Sequence, residues 1–157
     1  MSRHPISSND ERDLEDKEEF LNYLVQSSSV KACTLSEMKE HTEKDPVLQS
    51  VMHCMKYGTW KYFQENEDLK LFESIANELC ISNDGILLRG HRIVIPASLR
   101  RRVVMAAHEG HQGIAKTKSL LRAKVWFPKL DFMVEDFIKT CHACCSVSKM
   151  KDMNHYK

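Results

Sequence analysis

Residues 107–145 read AHEGHQGIAKTKSLLRAKVWFPKLDFMVEDFIKTCHACC, and the fold of the chain turns on this stretch. His108 and His111 are separated by two residues, as are Cys141 and Cys144, and 29 residues lie between the pairs. Zinc prefers four nitrogen and sulfur ligands in a tetrahedron, supplied as two close pairs that the fold brings together. A two-residue gap lets both members of a pair reach one ion from a single turn. The interval holds a helix, a bend and a second helix. Ile114, Thr117 and Leu121 fall in helical register through Lys124, and Pro128 separates them from a helix expected from Asp131 to about Thr140. Val134, Phe137, Ile138 and Cys141 follow at i, i+3, i+4 and i+7, so the Cys141 sulfur is expected to face the interior. A lone His or Cys at such a place is ordinarily a packing residue; two closable pairs in one stretch point to a metal. Cys145 and His142 lie beside the site and remain competing ligands. Cys33, Cys54 and Cys80 are expected to pack, and His41 and His53 to be surface or helix residues.

Upstream of this stretch, Leu99, Val103, Ala106 and Ala107 share one face of a helix over 98–109, which Gly110 is placed to end. The period then shortens. Cys80-Ile81-Ser82, the turn Asn83-Asp84-Gly85 and Ile86-Leu87-Leu88 predict a hairpin, because Asp-Gly supplies the positive φ angles of tight turns. Arg89-Gly90-His91 is a second turn into Ile93-Val94-Ile95, closed by Pro96. Leu69, Phe72, Ile75 and Ala76 predict a helix ending near Leu79. Asp45 as N-cap and Pro46 at the first helical position open another, in which Val47, Val51, Cys54 and Met55 share a face and which Tyr57 and Gly58 end. Thr34 or Ser36 caps a helix through His41. The first 19 residues are polar and acidic, and residues 1 to about 30 are expected to be largely disordered. The fold class is therefore α+β and mostly helical, a small β-hairpin sheet followed by a zinc-stabilised helical module. It divides into an acidic linker (1–45), a helical connector (46–78), the zinc-binding domain (79–145) and a tail (146–157).

Composition fits that reading. The chain has 157 residues, 42% of them hydrophobic, and no apolar run approaches the roughly 20 residues that span a bilayer. Nothing at the N-terminus has the form of a secretory signal, so an intracellular, nuclear or cytoplasmic, location is expected, with no membrane partner. The six cysteines are then thiols or metal ligands rather than disulfides. Charge is unevenly spread, at −5 over residues 1–45, −3 over 46–86 and +9 over 87–157, an asymmetry that suits a polyanion at the basic end. Lys116, Lys118, Arg122 and Lys124 lie on the polar side of one helix as candidate phosphate contacts. Arg100, Arg101 and Arg102 sit early in another helix, where positive charge is disfavoured by roughly 0.3–1 kcal/mol each. A solvated face is the commoner meaning of such charges, and polyanion contact the sharper one.

The run from AHEGHQGI through WFP to the final C-x-x-C resembles the His-His-Cys-Cys zinc-binding domain of integrases from Gypsy-type LTR retrotransposons. The resemblance extends from about Leu79 to Cys144, including GILLRGHRIVIPASLRRRVV, and MSRHP resembles the sequence that follows the RNase H domain in such Pol polyproteins. It implies one Zn2+ held by His108, His111, Cys141 and Cys144, with Trp126 and Phe127 as an aromatic pair packed beneath the metal. Cys145 stands where the family usually has glutamine and Lys129 where it usually has glycine. The first departure leaves the choice of cysteine pair open. An integrase also needs a core domain with three metal-holding acidic residues. Only 13 residues follow Cys144, with Asp152 their sole acid, so no catalytic residues are expected here. The implied function is a non-catalytic integrase zinc module that assists self-association or integrase assembly and engages element-end DNA. The alternative is a host-domesticated protein–protein adaptor that keeps the zinc fold and has lost DNA binding.

Overall fold

A computed structural model describes residues 33–63 and 65–153 of the chain; the disorder expected for residues 1–30 falls outside them. Helix α1 (Leu35–Lys44) begins at Thr34, whose hydroxyl accepts from the Glu37 amide while the Glu37 carboxylate accepts from the Thr34 amide. Helix α2 (Pro46–Tyr57) begins at Asp45, whose Oδ1 accepts from the Val47 and Leu48 amides, and ends at Gly58 with φ 67. The second oxygen of Asp45 accepts from the Ala97 amide at 2.8 Å. One buried carboxylate thus fastens the starts of two helices distant in sequence. A 3-10 turn (Trp60–Phe63) leads to α3 (Glu67–Ser74), capped by Asn66.

Strands β1 (Leu79–Ile81), β2 (Leu87–Arg89) and β3 (Arg92–Val94) form an antiparallel meander. Helices α4 (Ala97–Ala107) and α5 (Ile114–Lys124) then carry the chain to β4 (Val125–Trp126), which pairs with β3 in parallel. A parallel neighbour requires such a crossover. The strand β4 was not foreseen, because two residues flanked by helix and proline carry no alternation to detect. Helices α6 (Leu130–Lys139) and α7 (His142–Met153) complete the described chain. The latter starts within the segment expected to end the zinc domain and runs through most of the expected tail.

The sheet is a wall between two apolar cores, and alternation along its strands assigns residues to each side. Ile93, Ile95, Val125 and Phe127 face the core built on α4, α5 and α6, with Leu99, Val103, Leu121 and Val134. Leu79, Leu87, Val94 and Trp126 face the other, with Leu48 and Val51 of α2 and Leu69 and Phe72 of α3. Residues 33–44, expected within an acidic linker, are part of the fold. Cys33 and Met38 are buried in the first core, and Glu37 pairs with Arg102 of α4 at 3.2 Å. Their acidic neighbours conceal this in the sequence, since the two apolar contacts are too sparse to form a stripe. Among the described residues no helix is long and apolar enough to cross a membrane.

Candidate metal centre

Helix α4 ends where Val104 and Met105 accept from the His108 amide, leaving the His108 ring buried at 2% exposure. The chain then turns sharply: the His111 amide donates to the His108 carbonyl at 2.8 Å and His111 adopts φ 49. A side-chain-bearing residue in this left-handed region costs on the order of 1 kcal/mol. The turn brings the His111 ring to 5.4 Å from that of His108, edge to face.

The cysteine pair is built differently. Cys141 follows the end of α6 and its carbonyl accepts the first helical bond of α7, from the Cys145 amide at 2.9 Å. The Cys144 amide chiefly holds the Cys141 pKa below the ordinary thiol value, against the opposing effect of burial and with lesser help from the Cys144 side chain and the Ala143 amide. Amides at a helix start favour a thiolate in this way. Cys144, one turn on, is raised by burial and then by the neighbouring Cys141.

These two constructions meet. Cys144 Sγ lies 3.3 Å from His108 Nε2 and 3.9 Å from His111 Nδ1, and Cys141 Sγ lies 3.5 Å from His111 Nδ1. All four donor atoms fall within 4.8 Å of one another. Zinc bonds of about 2.0–2.1 Å to nitrogen and 2.3 Å to sulfur require tetrahedral edges of roughly 3.3–3.8 Å; the 3.3, 3.5 and 3.9 Å separations match such edges, and the widest, up to 4.8 Å, would contract when the ion binds. His108 is lowered in pKa by burial first and the His111 charge second, with the Gln112 backbone opposing. A neutral imidazole is the form that binds metal. Its Nδ1 is buried without a hydrogen-bond partner among the described residues. The donor set and its arrangement fit Zn2+, which when bound cross-links the ends of α4 and α6.

The two competitors stay out. Cys145 turns away and donates to the Lys139 carbonyl at 3.0 Å, closing the last turn of α6, and His142 is exposed. Cys33 and Cys54 are buried as expected, whereas Cys80 is exposed on β1. The aromatic pair also needs correction. Trp126 packs edge-on against Phe72 at 5.3 Å in the other core, and the ring against His108 is Phe137, at 5.8 Å. The α6 stripe contained that signal, since Phe137 lies four residues before Cys141.

The basic residues separate into two groups. Arg100 is half-buried, donates to the Ile95 carbonyl and lies 5.5 Å over Phe127. Arg102 pairs with Glu37, Lys118 with Glu135, and Arg122 makes a two-pronged contact with Asp131. Arg101, Lys116 and Lys124 have no carboxylate partner among the described residues. The set is therefore not one continuous cationic face.

Residues 95–149 match the sequence profile of a family described as the integrase zinc binding domain, which is non-catalytic on its own. The chain is 30% identical over 117 residues to "Uncharacterized protein K02A2.6" of Caenorhabditis elegans, covering 74% of this chain and 9% of that protein. The chain thus spans a small fraction of that relative's length. No solved structure matches it significantly. Family profile and donor geometry converge on the same segment, which is similar to an integrase zinc-binding domain.

Proposed function

We propose that the chain is the zinc module of a retrotransposon-type integrase, with His108 Nε2, His111 Nδ1, Cys141 and Cys144 as ligands, and that it assists multimer assembly and engagement of DNA ends. The observation that carries the reading is the closure of four donors, from two distant turns, into one cluster within 4.8 Å. The ion acts structurally, fixing the ends of α4 and α6. Of the seven candidate contacts, Arg101, Lys116 and Lys124 are best placed to meet phosphates, because among the described residues no carboxylate pairs with them. The test is duplex DNA binding by the zinc-loaded chain across a salt series, beside its oligomeric state with and without chelator. Each neutralised phosphate steepens the salt dependence by about 0.9 in log–log slope. The reading expects the Arg101→Glu/Lys116→Glu/Lys124→Glu variant to lose about 3 in slope and to keep its zinc. One observation favours the adaptor alternative: five of the seven candidate contacts, counting Arg101 over the Phe137 ring, are engaged within the fold. Salt-insensitive or absent DNA binding together with zinc-dependent protein association would decide for it.

A further inference from the structure

Far from the metal cluster, a cleft of about 340 Å³ opens between the sheet and the start of α6, lined among others by Arg89, Arg92, Arg122, Lys129, Asp131 and Trp126. Helices α5 and α6 run antiparallel, since Lys118 meets Glu135 and Arg122 meets Asp131. Cleft and metal cluster therefore lie at opposite ends of this pair, about 15 Å apart at 1.5 Å per residue.

We propose that this cleft is a second nucleic-acid contact, taking a backbone phosphate between Arg92 and Lys129 beside the Trp126 ring. The proposal rests on the reading that the chain works on nucleic acid, but uses other residues. The sheet register sets Arg89 directly opposite Arg92, and like charges so placed are destabilising. Arg89 is relieved by Glu78 at 2.7 Å and lies 4.8 Å over the Trp126 ring. Arg92 acts on Glu78 only at longer range, and among the described residues neither it nor Lys129 makes a close ion pair. Lys129 is also held exposed in the left-handed region at φ 61, where a glycine would relieve both the strain and the charge. Four cations thus line one small cleft against two carboxylates, Asp131 and Glu78, which Arg122 and Arg89 already occupy, leaving an excess of two positive charges. An entering anion relieves that imbalance. A phosphodiester suits it better than an isolated anion, because the half-buried Trp126 offers a ring beside the charges and the wider segment is strongly basic.

The experiment titrates the full zinc-loaded chain with a duplex of about 20 base pairs over a salt series and follows the Trp126 indole resonance. Saturable movement of that resonance is expected, with Arg92→Gln/Lys129→Gly shallower by about 2 in salt slope and unchanged in zinc content. Lys129→Gly alone relieves backbone strain, so it should fold at least as well as the parent and still lose about 1 in slope. Duplex binding with Trp126 unmoved and both variants binding like the parent would overturn the cleft while leaving the Arg101/Lys116/Lys124 contacts standing. Loss confined to the Arg92 and Lys129 variants would sustain the cleft and remove those contacts instead. Movement of Trp126 by an oligoglutamate peptide but not by the duplex would make the cleft a protein-docking site and overturn its assignment to nucleic acid.

Discussion

The two faces of the sheet are held by different physics. On one, α2 and α3 close over Leu48, Val51, Leu69, Phe72, Leu87 and Val94, all buried, so apolar burial is their main support. On the other, the core of α4, α5 and α6 is well packed near the sheet, yet its far end carries an exposed His111 and half-buried Cys141 and Cys144. Apolar area is scarce there, and coordination substitutes for it. A metal can fasten chain ends that hydrophobic burial cannot reach.

The largest effect expected is therefore at the metal. Structural zinc in small domains contributes an apparent ~10–16 kcal/mol near neutral pH, against roughly 3–5 kcal/mol from a small core alone. Cys144→Ser or chelator should abolish zinc binding and amide protection over residues 107–147, with protection in α2 and α3 outlasting it, as read by hydrogen exchange with mass spectrometry. Next comes the opposite face. Phe72→Ala empties a fully buried ring site and should cost about 3–5 kcal/mol, while zinc content stays at one ion per chain. Simultaneous loss of both faces in either variant would mean that they are one cooperative unit and would erase the contrast. Asp45→Ala, which strips the α2 cap and the tie to Ala97, should cost about 1–2 kcal/mol by denaturant titration. The smallest effect belongs to Arg122–Asp131. The Arg122 hydrogen bond chiefly holds the Asp131 pKa below the usual carboxylate value, so its contribution is present above the unfolded-state pKa and lost as pH falls through the folded one. Asp131→Asn should lower stability slightly near neutrality, converge with the parent at pH below the folded pKa, and so flatten the pH dependence across that acid window.

Legibility in the sequence followed the range of the interactions. Caps declare themselves locally, and Thr34, Asp45 and the Gly58 stop lie where the sequence put them. The metal pairs were legible because ligand spacing is a local signature, even though the closure joining them spans more than 30 residues. Strand β4 and the seat of Trp126 were not, since both depend on which element arrives beside β3. The role of Arg100 was equally hidden: a charge run reads as a surface until the structure shows one member turned inward over Phe127. Residues 33–44 were obscured because two buried side chains among acids leave no periodic trace.

The central claim, a zinc shell of two imidazoles and two thiolates, is most directly tested by the visible and near-ultraviolet spectrum of the cobalt-substituted chain. The account predicts tetrahedral bands with thiolate charge transfer in the parent and in Cys145→Ser, and their loss in Cys141→Ser and Cys144→Ser. A parent spectrum without thiolate charge transfer, or a Cys145→Ser variant as damaged as Cys144→Ser, would contradict it.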